Sequence, residues 1–291
     1  MINTNHYYQC KNSRFLIIEG VDKKKFLQGL ISNDIYKLGP QVGIYSALLT
    51  PKGKFLFDFF LAEQSNSIFL ECASDKIESL KLKLKIYKLR SNVEIETFNE
   101  KQSFILSKTL KPEIEKLNLN NRFFYFDDPR LPKKFLKLYC SEKDFKKKIS
   151  KNLNLKLIET KEFTNFEINN FLPNFSDLVE GDNFFLLELR FDKLNGICWK
   201  KGCFMGQELT ARTKYRANVK KRIYGIKIEG KLDKRRNEIL LDEKIVGHLL
   251  IANGYFGIAM IKITDEEVLS SKMQLNSGNA KIFPIVPKWA T

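Results

Sequence analysis

The spacing of apolar and polar positions divides this chain into stretches of different rhythm. Residues 14–20, RFLIIEG, form a compact apolar run suited to a strand. DKKKFLQGLISND follows at 22–34, with Phe26, Leu27, Leu30 and Ile31 at helical spacing, Asp22 placed to cap the start and Asn33 the end. VGIYSALLT and KFLFDFFLA are aromatic and β-branched runs joined by TPKG, which is hairpin chemistry. SIFLEC at 67–72 and NVEIET at 92–97 read as strands, and 75–89 reads as a helix. The alternating Leu and Lys of that last segment also fit a period of two. Strand, helix, strands, helix, strand is the order of an α+β lobe, an antiparallel sheet with helices on one face.

The next stretch repeats that texture without repeating the sequence. SFILS, RFFYFDD and KFLKLY predict strands, while 142–152 and 159–171 predict helices. Around residue 221 the pattern shifts to RIYGIKIEG, EILLD, KIVGHLLIANG and YFGIAMIKI, short strands punctuated by Gly and Asn. They predict a small all-β barrel or sandwich. The expected fold class is α+β: a first α+β lobe over 1–98, a second over 99–217 that ends in KGCFMGQE (a motif able to pack back on the first lobe), and a β-barrel over 218–291.

Composition narrows the chemistry. With 291 residues, 43% of them hydrophobic, the chain is long enough for a sizeable core and more than one domain. The longest apolar stretch, around 55–62, is broken by Asp58 and is too short to span a bilayer, so no membrane partner is expected. The first twenty residues lack both the pattern of a signal peptide and that of a transit peptide, and the expected location is cytoplasmic. Five cysteines, an odd number without a CxxC pair, argue against a disulfide framework and a structural zinc site. Only two histidines are present, which disfavours a Ser/His/Asp triad and imidazole metal sites. The net charge of +16 attracts anions, nucleic acid among them, but it is mostly lysine spread along the chain and reads first as solvated faces.

Against that background KKGCFMGQE, residues 200–208, stands out. GICW before it is strand-like and GQELTARTKYR after it is helix-compatible, so the motif is expected at a strand–loop–helix corner. Gly202 and Gly206 permit backbone angles or close approaches that a side chain would block. Cys203 would sit near a helix N-terminus beside Lys200 and Lys201, and both features favour thiolate over thiol. The other cysteines, Cys10, Cys72, Cys140 and Cys198, read as small buried hydrophobes. One thiolate does not hold an iron–sulfur cluster, which normally needs four protein ligands. Cys203 could attack an electrophile, form a mixed disulfide, or supply one ligand to a cluster shared with another protein.

LNGICWKKGCFMGQELTARTKYR closely resembles the signature of the YgfZ family, folate-binding proteins linked to iron–sulfur cluster assembly. FLQGLISNDI (26–35), YSALLTPKGKFLFD (45–58) and DPRLP (128–132) continue the likeness in the family's order. The string Lys201, Gly202, Cys203, Phe204, Met205, Gly206, Gln207, Glu208 carries its most specific part. The resemblance implies an aminomethyltransferase-like fold of three lobes around a central channel that takes tetrahydrofolate, with Cys203 as the key cysteine. It also implies a role in assembly or repair of iron–sulfur enzymes, including those that modify tRNA. In the family's mitochondrial branch this cysteine is implicated in sharing a cluster with an A-type carrier protein.

Pterin presents an amine and a ring N–H on one edge, which a carboxylate accepts in two hydrogen bonds. Glu188 stands where the aminomethyltransferases have their pterin-recognising glutamate; its alternative is an ion pair, with Arg190 as one partner. Phe55, Phe57, Tyr45 or Trp199 would wall the aromatic middle of folate, or belong to the core. Arg212, Lys214, Arg216 and Arg222 would meet a glutamate or polyglutamate tail, or form a solvated basic face. The aminomethyltransferases carry two acids in the strand that matches GKFLFDFFLA; here Phe57 precedes a lone Asp58, which puts aminomethyl transfer in doubt.

The expected function is therefore a tetrahydrofolate-binding accessory protein of iron–sulfur cluster assembly or repair. Cys203 and its neighbour Lys201 form the reactive pair, and a transient cluster is shared with a carrier or client enzyme. The alternatives are a folate-dependent one-carbon transferase and a tRNA-binding modification factor.

Overall fold

A computed structural model of the protein describes residues 5–117, 119–178, 183–215, 219–233, 235–262 and 274–291. Two compact units emerge. The first comprises residues 1–51, 56–160 and 194–205; the second comprises 52–55, 161–193 and 206–291.

The first unit contains two five-stranded sheets. Its elements in chain order are β1 (His6–Gln9), β2 (Ser13–Glu19), α1 (Lys23–Gln28), β3 (Gly43–Leu49), β4 (Phe55–Gln64), β5 (Ser67–Ala73), α2 (Ile77–Lys88), β6 (Glu94–Phe98), β7 (Gln102–Ser107), α3 (Lys111–Lys116), β8 (Phe124–Asp127), β9 (Phe135–Cys140), α4 (Glu142–Phe145) and β10 (Lys156–Leu157). One sheet runs β3-β4-β5-β2-β6 and the other β10-β1-β7-β9-β8. In β2 and β5 one set of alternate residues, Leu16, Ile18, Ile68, Leu70 and Cys72, joins a core closed by α1 and α2. Leu136, Leu138 and Cys140 of β9 do the same under α3 and α4.

The opposite faces of these strands meet each other. Phe15 packs edge-on to Tyr139, and Lys137 lies 2.8 Å from Glu71. The Tyr139 hydroxyl donates to the same carboxylate at 2.7 Å, and the Lys137 ammonium sits 3.8 Å from the Phe60 ring centroid. A buried charge pair is tolerated here because each partner has a second contact that replaces water.

In the second unit, α5 (Thr160–Asn169), α6 (Phe175–Leu178) and α7 (Gln207–Tyr215) accompany a closed barrel. The barrel strands are β11 (Arg222–Glu229), β12 (Glu238–Leu241), β13 (Lys244–Asn253), β14 (Phe256–Ile261), β15 (Leu275–Ser277) and β16 (Ala280–Ile285), in the order β11-β14-β13-β12-β15-β16. Tyr224, Ile226, Ile228, Ile239, Ala259 and Ile261 fill its interior. Gly225 has no side chain because the Phe171 ring occupies the place, 2.3 Å from where a Cβ would stand. The fold class is that expected: mixed α+β with a C-terminal six-stranded barrel.

Several expectations are revised. GICW is not a strand; residues 196–199 are irregular. α1 stops at Gln28 and not near Asn33, because Ser32 and Asn33 are bonded elsewhere. β1, β10, β15 and β16 lie outside the expected strands: the first three have four residues or fewer, and β16 contains Pro284, which argues against a strand.

Candidate functional site

Cys203 is exposed, whereas Cys72, Cys140 and Cys198 are buried and Cys10 is half-buried. Burial pushes the thiols of Cys72 and Cys140 up from their ordinary value, so neither ionises at neutral pH. Cys203 differs from them in being exposed, because of the loop that carries it.

Residues 194–205 are fastened to the segment that follows α1. The Lys201 ammonium donates to three backbone carbonyls, Gln28 O at 2.7 Å, Ile31 O at 2.8 Å and Asn33 O at 2.9 Å. These include carbonyls that a helix end leaves without an intrahelical donor. The Ser32 hydroxyl donates to Gly196 O at 2.7 Å, and Asn33 Nδ2 donates both to Asn195 O and to Tyr45 O at 2.8 Å. In return Cys198 N–H bonds Ser32 O, and Met205 N–H bonds Gly29 O, each at 3.0 Å. FLQGLISND and LNGICWKKGCFM are thus two halves of one interlocked structure. Phe204 is buried beneath Lys201, whose ammonium stands 5.2 Å from its ring centroid. Gly202 and Cys203 are left exposed between the anchors Lys201 and Phe204.

The geometry therefore gives Lys201 a positioning part beside its expected one of favouring the Cys203 thiolate. It is 8% exposed, and all three ammonium protons are committed to carbonyls. Burial pulls its pKa down to about 8. Gly202 has open space where a Cβ would stand, so its expected steric role has no counterpart. Gly206 does need glycine: its φ is +76°. In the second unit its carbonyl lies 2.9 Å from where a Cβ on Gly53 would be. The TPKG turn thus closes on the last part of the cysteine motif. Gln207 opens α7, and the exposed Glu208 lies in its first turn, where an acid complements the helix dipole.

The remaining candidates fall into two groups. In the first unit Tyr45 has no exposed surface, and its hydroxyl donates to Asp58 Oδ2 at 2.7 Å. Trp199 and Phe57 are half-buried. Arg130 covers Tyr45 and Phe60 while its guanidinium holds Asp128, at 3.0 Å through Nη2. Sequence reading named DPRLP but missed that Asp128 and Arg130 form this buried pair.

In the second unit Glu188 is buried in a turn. Its Oε2 accepts Phe185 N–H at 2.9 Å and lies 3.9 Å from Lys221. Arg190 is not its partner; Arg190 Nε donates to Ile223 O and its guanidinium covers Tyr224. Phe55 packs with Phe175 and Phe191, as a core residue does. Arg212 is exposed on α7, Arg222 is half-buried at the start of β11, and Arg216 lies outside the described residues. Among the described residues no cluster of three or more His, Cys, Asp or Glu could hold a metal ion, and no helix is long and apolar enough to cross a membrane.

Comparison with known proteins gives a consistent pattern. Residues 220–291 match the family model described as CAF17, C-terminal beta-barrel domain. The chain is 24% identical over 300 residues to the mouse protein "Iron-sulfur cluster assembly factor IBA57, mitochondrial" (Mus musculus), covering 94% of this chain and 82% of that one. It is 25% identical to the Neurospora crassa homologue of that factor, covering 72% of this chain and 51% of the relative. To the Dictyostelium discoideum homologue it is 28% identical, covering 74% and 60%. The chain thus spans little more than half the length of the last two. Among solved structures, the glycine cleavage system aminomethyltransferase T from Bartonella henselae superposes with a TM-score of 0.78 at 10% identity, covering 99% of this chain and 87% of that one, a likeness of fold. The relatives' names speak of iron–sulfur cluster assembly, as the YgfZ resemblance implied, and do not mention folate or tRNA. They also say mitochondrial, which overturns the expected cytoplasmic location.

Proposed function

We propose that this chain is an accessory protein of iron–sulfur cluster assembly, acting in mitochondria as its relatives are named to do. Cys203 supplies one ligand to a cluster that a partner largely holds. The observation that carries this reading is an exposed thiol on a loop that Lys201, Ser32 and Asn33 hold rigid. The cluster is cargo. The Cys203 thiol gives up its proton as its sulfur binds an iron, and a carrier of the A type, or a client iron–sulfur enzyme, supplies the other thiolates.

Tetrahydrofolate, or its polyglutamate, is the small molecule this reading assigns to the fold. Glu188 fits a pterin edge: its Oε1 has no hydrogen-bond partner among the described residues, and Oε2 accepts only one N–H. Arg212 and Arg222 would meet the glutamate tail. Asp58, oriented by Tyr45, is the single acid where the transferases have two, which favours binding over aminomethyl transfer. Bound tetrahydrofolate would supply a reduced pterin able to carry one-carbon units.

Cluster transfer from a loaded A-type carrier to an apo-enzyme tests the first half. Cys203→Ser is expected to slow it about tenfold or more, and an unchanged rate removes the proposed ligand. Calorimetry with tetrahydrofolate tests the second: binding is expected for the native chain and is weakened about tenfold by Glu188→Gln, the cost of a lost charge-assisted bond. No heat with the native chain removes the ligand.

A further inference from the structure

α2 carries two apolar stripes. Ile77, Leu80 and Leu84 face the core. Leu82, Ile86 and Leu89 lie one helical turn apart on another face, 63%, 57% and 87% exposed. Leu89 ends the helix with φ +47°, a left-handed angle costly for a leucine, and this conformation is held although the side chain is left in water. Beside it runs an open groove between α1 and the end of α2, lined by Lys25, Phe26, Gly29, Tyr87, Leu89 and Arg90 among others.

The groove has a polarity. Lys25 and Arg90 on its rim have no ion pair or side-chain hydrogen bond among the described residues. The acid that lines it, Asp22, already accepts Asn92 N–H at 2.8 Å. Lys88 stands between Ile86 and Leu89, exposing part of its surface. An apolar floor with a cationic rim is complementary to an amphipathic helix that carries aliphatic anchors flanked by Asp and Glu. A bare polyanion would use the rim and leave the leucines in water.

The groove is also close to the thiol. Gly29, which lines it, accepts Met205 N–H, and Gln28 accepts Lys201 Nζ. Cys203 is two residues from Met205, so their Cα atoms are at most about 7.6 Å apart. We infer that the α1–α2 groove and the outer stripe of α2 dock an acidic amphipathic helix of the protein that carries the cluster, and so present that cluster to Cys203. This rests on the function proposed above and names the surface that recognises the partner.

The probe is a fluorescent synthetic helix with leucine at i, i+4 and i+7 and glutamate between them, titrated against the full chain. Saturable binding is expected, weakened about tenfold or more by Leu89→Glu and Ile86→Glu, as for exposed anchors at an interface. Arg90→Glu weakens it as well, and Cys203→Ser leaves it unchanged. Leu89 and Arg90 of the groove and Ile86 of the outer stripe are all exposed, so melting temperature should not move; a variant that does melt early is replaced by Leu82→Glu. The inference is overturned if the native chain does not bind the helix, if the Leu89 and Ile86 variants bind like the native chain, or if a lysine-rich version binds equally. It is also overturned if vesicles rich in anionic lipid, and not the helix, depend on these residues.

Cluster exchange with the A-type carrier separates the two claims. Leu89→Glu should raise the carrier concentration for half-maximal rate about tenfold while keeping the limiting rate, and Cys203→Ser should lower the limiting rate. Full rate with Cys203→Ser sinks the function, and the helix titration still decides the groove.

Discussion

Lys201 shows how much of the site depends on one side chain whose role its sequence neighbours do not reveal. In KKGC it looks like a partner for the thiol; in the fold it is a cation enclosed by three carbonyls. Lys201→Met removes the donor and leaves those acceptors buried, so urea unfolding should report a loss of about 3 kcal/mol at neutral pH. Cys203→Ser, on an exposed atom, should change stability by less than about 0.5 kcal/mol. A Lys201 variant as stable as the native chain would contradict the anchoring. Asp128 is a second such residue. Burial alone would raise its carboxyl, but the Arg130 guanidinium outweighs burial and holds it below the usual 3.8. A carboxyl lowered on folding stabilises the fold fully above its unfolded value and loses that contribution as pH falls through the folded one. Asp128→Asn should therefore cost about 3 kcal/mol at pH 7, with the gap to the native chain closing below pH 3.8. A gap of constant size would show that the pair does not act through charge.

Among the elements, α2 explains an ambiguity in the pattern. Leu80, Leu82, Leu84 and Ile86 alternate with lysines and imitate a strand. They do so because a helix with a core stripe and a second, exposed stripe places apolar residues at every other position. The loop 194–205 is the opposite case: an apolar GICW suggests a strand, yet its backbone bonds go to Ser32 and not to a neighbouring strand. Its rigidity should be visible in hydrogen exchange. In Lys201→Met the Cys198 and Met205 amides are expected to exchange about tenfold faster or more, while those of β5 stay protected. Equal acceleration everywhere would mean global destabilisation and no local hinge. The TPKG turn is more constrained than hairpin chemistry alone implies. Gly53 has φ +69° and no room for a Cβ beside Gly206 O, so Gly53→Ala should cost about 1–2 kcal/mol in thermal or urea unfolding.

At the scale of the molecule, the charge of +16 is a field and not a site. Some of its lysines are already paired, as Lys81 and Lys85 are with Glu96, and Lys25 lines the groove beside α1. Binding to tRNA should fall steeply with salt and should not distinguish tRNA from an unrelated RNA of equal length. A salt-resistant preference for tRNA would point to a nucleic-acid role that the groove and the thiol do not explain.

The pattern of the chain determined four of the six barrel strands and most strands of the two five-stranded sheets, and it made the cysteine motif stand out, because these follow from local periodicity and from residue types adjacent in sequence. Only the tertiary structure decided that Cys203 is exposed while Lys201 is spent on anchoring, that Asp128 serves Arg130, and that the lysine-rich helix keeps a second apolar face in water. Each of those outcomes depends on which carbonyl, ring or guanidinium arrives from a distant part of the chain. Burial and hydrogen bonding between remote segments are not encoded in the spacing of neighbours.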